Sequence, residues 1–280
     1  MQRQAIQTLI NATPKLTWHE QEIHSDTAVI NFNGVDYADL KRDFENLFVE
    51  KLLNYKLSTA NGIDQFTNVD TIIGCTQYID NLYQSHPKNL FVFENEFVYH
   101  KSLRLDNEIS VDDIKPNSHL LISVPQAHSC AVPEILPRII KLAEENNCSL
   151  HLDMAWWTIS KGLSINLSSP SIKTLATSLS KPFSLSRNRI GIRMSRCNIN
   201  DAVSIQNKKN IVPRALLELG LSYLQQNDLD YMWKKYSKHY DHICRLCRMR
   251  PLPIFFMARE LGKGNVHINK ALEYIYNNHK

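Results

Sequence analysis

The sequence lacks the features of several broad protein classes. Among its 280 residues, no apolar run approaches the roughly 20 residues that a membrane span needs, so we expect no membrane association. Residues Met1–Gln7 contain no apolar core of a signal peptide, and a cytoplasmic location is the default expectation. The formal charge of +4 is small. Because the densest basic cluster, Arg245–Arg250, is interpreted as the solvated end of a helix, we expect no nucleic-acid partner.

The six cysteines, at positions 75, 130, 148, 197, 244 and 247, have no disulfide-framework spacing. In a cytosolic protein we expect them to be free thiols. Cys244 and Cys247 form one CxxC inside a helical pattern, without a second CxxC or a histidine pair nearby, so the sequence predicts no metal site. Hydrophobic content of 43% and charged content of 21% are ordinary for a globular protein that buries a sizeable core.

Short apolar segments alternate with helical patterns along the chain. Strands are predicted at 69–73, 90–93, 120–124, 149–152, 174–178, 190–194 and 251–258. Helices are predicted at 37–55, 78–83, 133–147, 212–249 with a break near 227, and 267–277. This alternation predicts a three-layer α/β domain in which helices cover both faces of a mostly parallel sheet. Ligands of such sheets bind beyond the carboxyl ends of the strands.

Residues 178–191 are the most informative part of the chain. Lys181 follows Ser178 by three positions and Ser180 by one, and it precedes Arg189 by eight. A lysine that bonds covalently to a carbonyl cofactor, beside hydroxyls and an arginine that hold a phosphate, fits this pattern. The pattern resembles the lysine motif of the pyridoxal 5'-phosphate (PLP)-dependent fold type I family, in particular the class I/II aminotransferases. The resemblance implies PLP as cofactor and Lys181 as the Schiff-base residue.

Arg189, Ser178 and Ser180 are the predicted phosphate ligands. A guanidinium grips phosphate oxygens with two hydrogen bonds, which a lysine cannot reproduce. Arg187 is the neighbouring alternative, although only Arg189 has the family offset and the following Ile-Gly. Strand-end hydrogen bonding is the alternative role of the serines.

The segment Gly74-Cys75-Thr76 lies between a predicted strand and a predicted helix. Backbone N–H groups at a helix N-terminus, together with a threonine hydroxyl, can hold a phosphate. The family has a similar turn about a hundred residues before its lysine, and Gly74 lies 107 residues before Lys181. By resemblance, all three residues of the turn are predicted to bind the cofactor.

Asp153 ends a predicted strand. A buried carboxylate beside the pyridine nitrogen keeps it protonated, as PLP chemistry requires; a helix-capping aspartate is the alternative. The sequence Asp153-Met-Ala-Trp156 resembles the family's Asp-x-Ala-Tyr, whose tyrosine donates a hydrogen bond to the phenolic oxygen of the cofactor. Trp156 occupies the tyrosine position. Its indole N–H can donate, but it can neither accept nor ionise.

Further cofactor contacts follow from the resemblance. Phe97, 23 residues after Gly74, matches an aromatic residue that stacks on the pyridine ring, with Tyr99 in reserve; core packing is the alternative for either. Residues 123–129 occupy the place of an Asn-Pro-x-Asn-Pro-Thr-Gly segment. Gln126 or His128 would replace its asparagine, while His128 could instead act as an acid or base near the substrate, or have no role.

The resemblance covers about residues 35–215. It predicts an N-terminal arm (1–34), a PLP-binding large domain (35–215), and a long helix with a truncated C-terminal small domain (216–280). It also implies a small-molecule amino substrate and a homodimer. Arg259 does not match the position of the family's carboxylate-binding arginine.

Three functional hypotheses remain. The first is an aminotransferase in which Lys181 forms the internal aldimine and then moves the α-proton as base and acid. The second is a PLP-dependent lyase, decarboxylase or condensing enzyme of a specialised pathway. The third is a non-catalytic homologue that keeps the fold as a binding module. Retention of Lys181, Asp153 and Arg189 together argues against the third.

Overall fold

A seven-stranded sheet forms the centre of the protein. The computed structural model describes residues 2–11, 27–104, 106–185 and 187–278. The strands in these ranges are β1 (Thr59–Asn61), β2 (Asn68–Ile72), β3 (Leu90–Phe93), β4 (Glu108–Ile109), β5 (His119–Ser123), β6 (Ser149–Asp153), β7 (Ser164–Asn166), β8 (Ile172–Ser178), β9 (Gly191–Ser195), β10 (Arg250–Pro251), β11 (Met257–Glu260) and β12 (Gly264–His267). The central order is β2-β9-β8-β6-β5-β3-β4.

Four of the six strand pairings in this sheet are parallel. They join β4, β3, β5, β6 and β8, whereas β9 runs antiparallel to both β8 and β2. All four residues of β3 and all five of β9 are buried. Such continuous burial is typical of strands covered on both faces. The predicted mostly parallel sheet is confirmed.

Helices form the outer layers. The α-helices of the described ranges are α1 (Gln2–Asn11), α2 (Tyr37–Leu53), α3 (Gly74–Ser85), α4 (Val98–Ser102), α5 (Leu136–Glu145), α6 (Ala202–Lys208), α7 (Arg214–Gln226), α8 (Tyr231–Cys247) and α9 (Asn269–Asn278). Leu90 and Val92 pack with α3, whereas Phe91 and Phe93 belong to the larger core cluster. Since successive strand residues point to opposite faces, two cores lie on the two faces of the sheet. The predicted α/β architecture is confirmed.

The two ends of the chain pack together. Ile6 and Ile10 of α1 are buried and belong to the larger core, and α1 contacts α8 and α9. Residues 12–26 of the predicted arm lie outside the described residues. The predicted domain boundaries stay a prediction.

The predicted strand at 251–258 is wrong. Two separate strands, β10 and β11, include only the ends of this stretch and pair antiparallel with each other, and β12 completes a small three-stranded sheet. Pro253 lies in the interruption, and proline has no N–H to donate to a strand ladder. The predicted break in the long helix is present between α7 and α8.

Two further expectations from the sequence concern the state of the cysteines and the presence of membrane-spanning helices. All six cysteines are free thiols, as predicted, and only Cys197 is exposed. Among the helices of the described ranges, none combines the length and the apolar character needed to cross a bilayer.

Candidate active site

A cavity of about 510 Å³ opens where the parallel strands end. Ser123, Asp153 and Ser178 are the last residues of β5, β6 and β8, so the sheet brings them to one edge. Nine of the ten residues that the sequence singled out line the cavity: Cys75, Thr76, Phe97, Asp153, Trp156, Ser178, Ser180, Lys181 and Arg189. The tenth, Gly74, lies directly beneath Arg189.

Arg189 and the start of α3 form one end of the cavity. Nη2 of Arg189 donates a hydrogen bond to Oγ1 of Thr76 at 3.0 Å. Gly74 begins α3 with a φ of +73°, and a Cβ at this position would lie only 2.8 Å from Nη2. Glycine therefore meets both the backbone conformation and the close approach of the guanidinium. Arg187, the alternative from the sequence, is exposed and does not line the cavity.

Two polar atoms at this end lack a protein partner within the described part of the chain. Nε of Arg189 and Oγ of Ser180 are buried and make no hydrogen bond there. Buried polar groups are rarely left unpaired in folded proteins. With the N–H groups at the start of α3, they form a set of donors suited to an anion with several oxygens.

Lys181 lies in the cavity beside these groups. Burial, and after it the positive charge of Arg189, lower the pKa of its amine to about 8. A substantial fraction of the amine is therefore neutral and nucleophilic close to neutral pH. Burial and the nearby Asp153 carboxylate raise the pKa of the Cys75 thiol well above its usual value, so Cys75 is a neutral neighbour.

Asp153 is held by contacts from two directions. Its Oδ1 accepts a hydrogen bond from the Ala155 N–H at 3.0 Å, and its Oδ2 lies 3.1 Å from Nε2 of His100. On the other side of this buried imidazole, Nδ1 lies 3.3 Å from Oε2 of Glu96. Burial opposes protonation of His100, but the hydrogen bond with Asp153 and then the ion pair with Glu96 raise its pKa to about 9. An imidazolium thus connects two buried carboxylates at neutral pH.

Glu96 also holds the loop after β5. It accepts hydrogen bonds from the Ser123 hydroxyl at 2.6 Å and from Nε2 of Gln126 at 3.2 Å. The backbone oxygen of His128 accepts from the Asn265 side chain at 2.7 Å. The hydrogen bond from Nε2 orients the Gln126 side chain toward Glu96. Neither Gln126 nor His128 lines the cavity.

Aromatic side chains form the opposite wall. Phe97 lines the cavity at 46% exposure, whereas Tyr99 points elsewhere and donates to Asp80 at 2.6 Å. Trp156 packs edge-on against Phe256, with 5.4 Å between ring centroids. The small sheet contributes Met257 and His267 to the cavity wall, together with Phe256, which directly precedes β11.

Sequence reasoning missed several of these residues. Nothing in the sequence indicated Glu96 or the small-sheet residues, because their contacts join segments far apart in the chain. His100 carried a weak signal, since it follows Phe97 by three positions and the helix α4 brings both to one side. Their rings make an edge-to-face contact at 5.8 Å.

Comparison with known proteins identifies the fold. No protein-family model matches the chain, and no curated protein matches its sequence. Alanine aminotransferase from Pyrococcus furiosus superposes with a TM-score of 0.60 at 13% identity, covering 87% of this chain and 73% of that one. Aromatic aminotransferase from Pyrococcus horikoshii superposes with a TM-score of 0.58 at 14% identity, covering 98% of this chain and 91% of that one. A mitochondrial aspartate aminotransferase from Trypanosoma brucei superposes with a TM-score of 0.55 at 13% identity, covering 97% of this chain and 98% of that one.

At these identities the likeness establishes the fold and leaves the reaction open. The central sheet, the outer helices and the small antiparallel sheet together have the architecture of the aminotransferases, as the lysine motif had implied. The chain therefore has the fold of the PLP-dependent aminotransferases of fold type I.

Proposed function

We propose that the protein is a PLP-dependent enzyme, most similar to an aminotransferase, that acts on a small-molecule amino substrate. One observation carries the proposal. A lysine with a lowered pKa shares a cavity with a carboxylate and with a guanidinium whose Nε is buried without a partner in the described residues. Retention of these three groups in the aminotransferase fold supports catalysis over a purely structural role.

The residues present fit the chemistry of PLP. The donors of Arg189, Ser180, Thr76 and the α3 N-terminus suit a phosphate, since buried donors need an acceptor. Lys181 would hold the cofactor covalently through its amine. When bound, PLP supplies an electron sink that stabilises negative charge on the substrate carbon next to the nitrogen.

Asp153 would pair with the pyridine nitrogen. Its carboxylate lines the cavity, while the Ala155 N–H and the His100 imidazolium fix its orientation. A carboxylate in this position keeps a ring nitrogen protonated. Phe97 would pack on the ring, and Trp156 would donate its indole N–H where the family has a tyrosine hydroxyl.

Lys181 would also move the proton. As a free neutral amine, its Nζ would remove a proton from the substrate α-carbon and return it. A pKa of about 8 suits this role, because both protonation states are populated near neutral pH.

A homodimer is part of the proposal. Phe97 and Val98 are exposed to 46% and 70% although both are apolar and line the cavity. A partner subunit over this edge would cover them and narrow the opening, as the family resemblance implies. Sedimentation analysis of the purified protein tests this point, and a monomer would contradict it.

A PLP-dependent lyase, decarboxylase or condensing enzyme is the second candidate. Among the described cavity residues, Arg189 is the only arginine, so its use for phosphate leaves no guanidinium of the described lining for a substrate carboxylate. Product analysis separates the reactions. Transamination needs an amino donor and a keto acceptor together, whereas the alternative reactions release products without a keto acceptor.

The experiment is a PLP-binding measurement on three proteins: wild type, Lys181→Ala and Lys173→Ala. Lys173 is the matched control, because it lies on the same strand, β8, and its Nζ donates to the Pro170 carbonyl. After desalting, wild type and Lys173→Ala should keep a visible absorbance band that borohydride abolishes, and Lys181→Ala should not. Absence of the band from folded wild type would overturn the enzyme proposal and favour a non-catalytic homologue.

A further inference from the structure

Three histidines from separate elements meet on the α3 face of the sheet, outside the cavity. His86 follows α3 directly, His119 begins β5, and His151 lies in the middle of β6. In the parallel pairing of β5 with β6, His119 is opposite Ser149, two residues before His151, so both histidines point to the same face. One nitrogen of each imidazole lies within 4.8 Å of a nitrogen of the other two.

Two of the rings are already close to the spacing of metal ligands. Nδ1 of His119 lies 3.0 Å from Nε2 of His151. Zn–N bonds of about 2.0–2.1 Å at a tetrahedral angle place two nitrogens about 3.3 Å apart. The pair therefore needs to open by a few tenths of an ångström and to turn slightly toward a common ion.

The third ring requires a larger adjustment. His86 stacks on His119 with 3.4 Å between centroids and 15° between planes. Because the lone pair of an imidazole nitrogen lies in the ring plane, His86 has to turn out of this stack to share an ion. Both His86 and His119 are partly exposed, so a solvated ion can reach them.

The buried imidazole of His151 is oriented by a hydrogen bond on the side away from the other two histidines. Nδ1 of His151 lies 2.7 Å from Oγ1 of Thr174, which in turn lies 2.6 Å from the hydroxyl of Tyr78. When Nδ1–H donates to Thr174, the Nε2 lone pair faces the other two histidines. Proteins usually orient a metal-binding histidine in this way, with a hydrogen bond from the ring nitrogen that does not bind the metal.

We propose that His86, His119 and His151 form a binding site for a divalent transition-metal ion of the Zn²⁺, Ni²⁺ and Cu²⁺ class, with water at the remaining position. Imidazole nitrogens suit these ions, and three histidines with one open position form an established arrangement for Zn²⁺. The ion would tie the end of α3, whose other end forms the anion-binding turn, to β5 and β6. The sequence predicted no metal site, because these histidines are 33 and 32 residues apart and match no ligand motif.

The test is calorimetric titration of tag-free, chelator-treated protein with Zn²⁺ at a pH above 7, in the absence of PLP. We expect one ion per chain. His86→Gln and His119→Gln should each weaken binding by at least ~tenfold, the lower range for loss of a supporting group around a metal. His242→Gln, on α8 and outside the cluster, is the control and should bind as wild type does.

A second readout separates the cluster from weak surface binding. Co²⁺ should give the intense visible spectrum of a low-coordinate site in wild type and in His242→Gln, and a weak octahedral spectrum in His86→Gln. His86 is partly exposed, so this variant should fold, and an unchanged circular dichroism spectrum checks that. Equal binding by wild type and the two cluster variants, or no saturable binding by wild type, would overturn the proposal. Either result leaves the PLP proposal untouched, because no step of this test uses PLP.

Discussion

Arg193 and Arg189 lie four residues apart, and their guanidinium groups have opposite surroundings. Arg193 is 1% exposed on β9 and pairs with both Asp70 and Asp201. Its Nε donates to Asp70 at 3.2 Å and its Nη2 to Asp201 at 3.1 Å. Arg189 donates to one hydroxyl, that of Thr76, and its buried Nε has no partner in the described residues.

The difference distinguishes the structural role of the Arg193 charge from the binding role proposed for Arg189. Burial alone would raise the pKa of Asp201, but the hydrogen bond from Arg193 lowers it below its ordinary value, so the pair is ionised and satisfied. Asp201 also caps α6 by accepting from the Ser204 N–H at 3.0 Å. Arg193 therefore joins two strands and a helix. Arg189 retains donors for a ligand, since a buried donor without an acceptor is unfavourable.

The largest expected effect is on folding. Arg193→Met leaves the carboxylates of Asp70 and Asp201 without their cation, and loss of one partner from a buried ion pair lowers stability by about 3–5 kcal/mol. Arg189→Met should change the free energy of unfolding by less than about 1 kcal/mol, because no ion pair is broken. Urea denaturation of both variants at pH 7 measures the difference. Equal losses would contradict the comparison.

The second effect is on ligand binding. Arg189→Met should weaken PLP binding about 10- to 150-fold, since a hydrogen bond to a charged group contributes about 1.5–3 kcal/mol. Pyridoxal, which lacks the phosphate, serves as the matched ligand. Its affinity should be the same in wild type and variant, and a parallel loss for both ligands would place Arg189 outside the phosphate site.

A third effect is a pH dependence from His100, a buried cation that is paired like Arg193 but lies beside the cavity. Its pKa in the folded protein is about 9, above the ordinary value of about 6.5. Its contribution to stability is therefore complete below about pH 6.5 and is lost as the pH rises through about 9. Urea midpoints across this range should fall more steeply for wild type and for the control His242→Asn than for His100→Asn. Identical slopes would show that His100 is not held as a cation.

The sequence predicted the parts of the site that depend on local order along the chain. Asp153 and Lys181 each come at or just after the end of a predicted strand, so both were expected at the carboxyl edge of a parallel sheet. The resemblance of the spacing between Lys181 and Arg189 to the family's lysine motif then predicted Arg189 as a phosphate ligand.

Contacts between distant segments could not be predicted in the same way. Glu96 binds the loop after β5, and Arg193 binds Asp70 across an antiparallel pairing. A single sequence carries no signal for either contact. The small sheet differs from the predicted single strand because the chain turns back between β10 and β11, in a stretch that contains Pro253. Its folding toward the cavity, which brings Phe256 against Trp156, depends on long-range packing.

Chemical trapping of the cofactor tests the central claim most directly. Wild-type protein is incubated with PLP, reduced with borohydride, digested and examined by peptide mass spectrometry. The account predicts one reduced phosphopyridoxyl group per chain, on the peptide that contains Lys181, and none on the peptide that contains Lys173. Modification spread over surface lysines, with Lys181 unmodified, would contradict the assignment of this cavity as a PLP site.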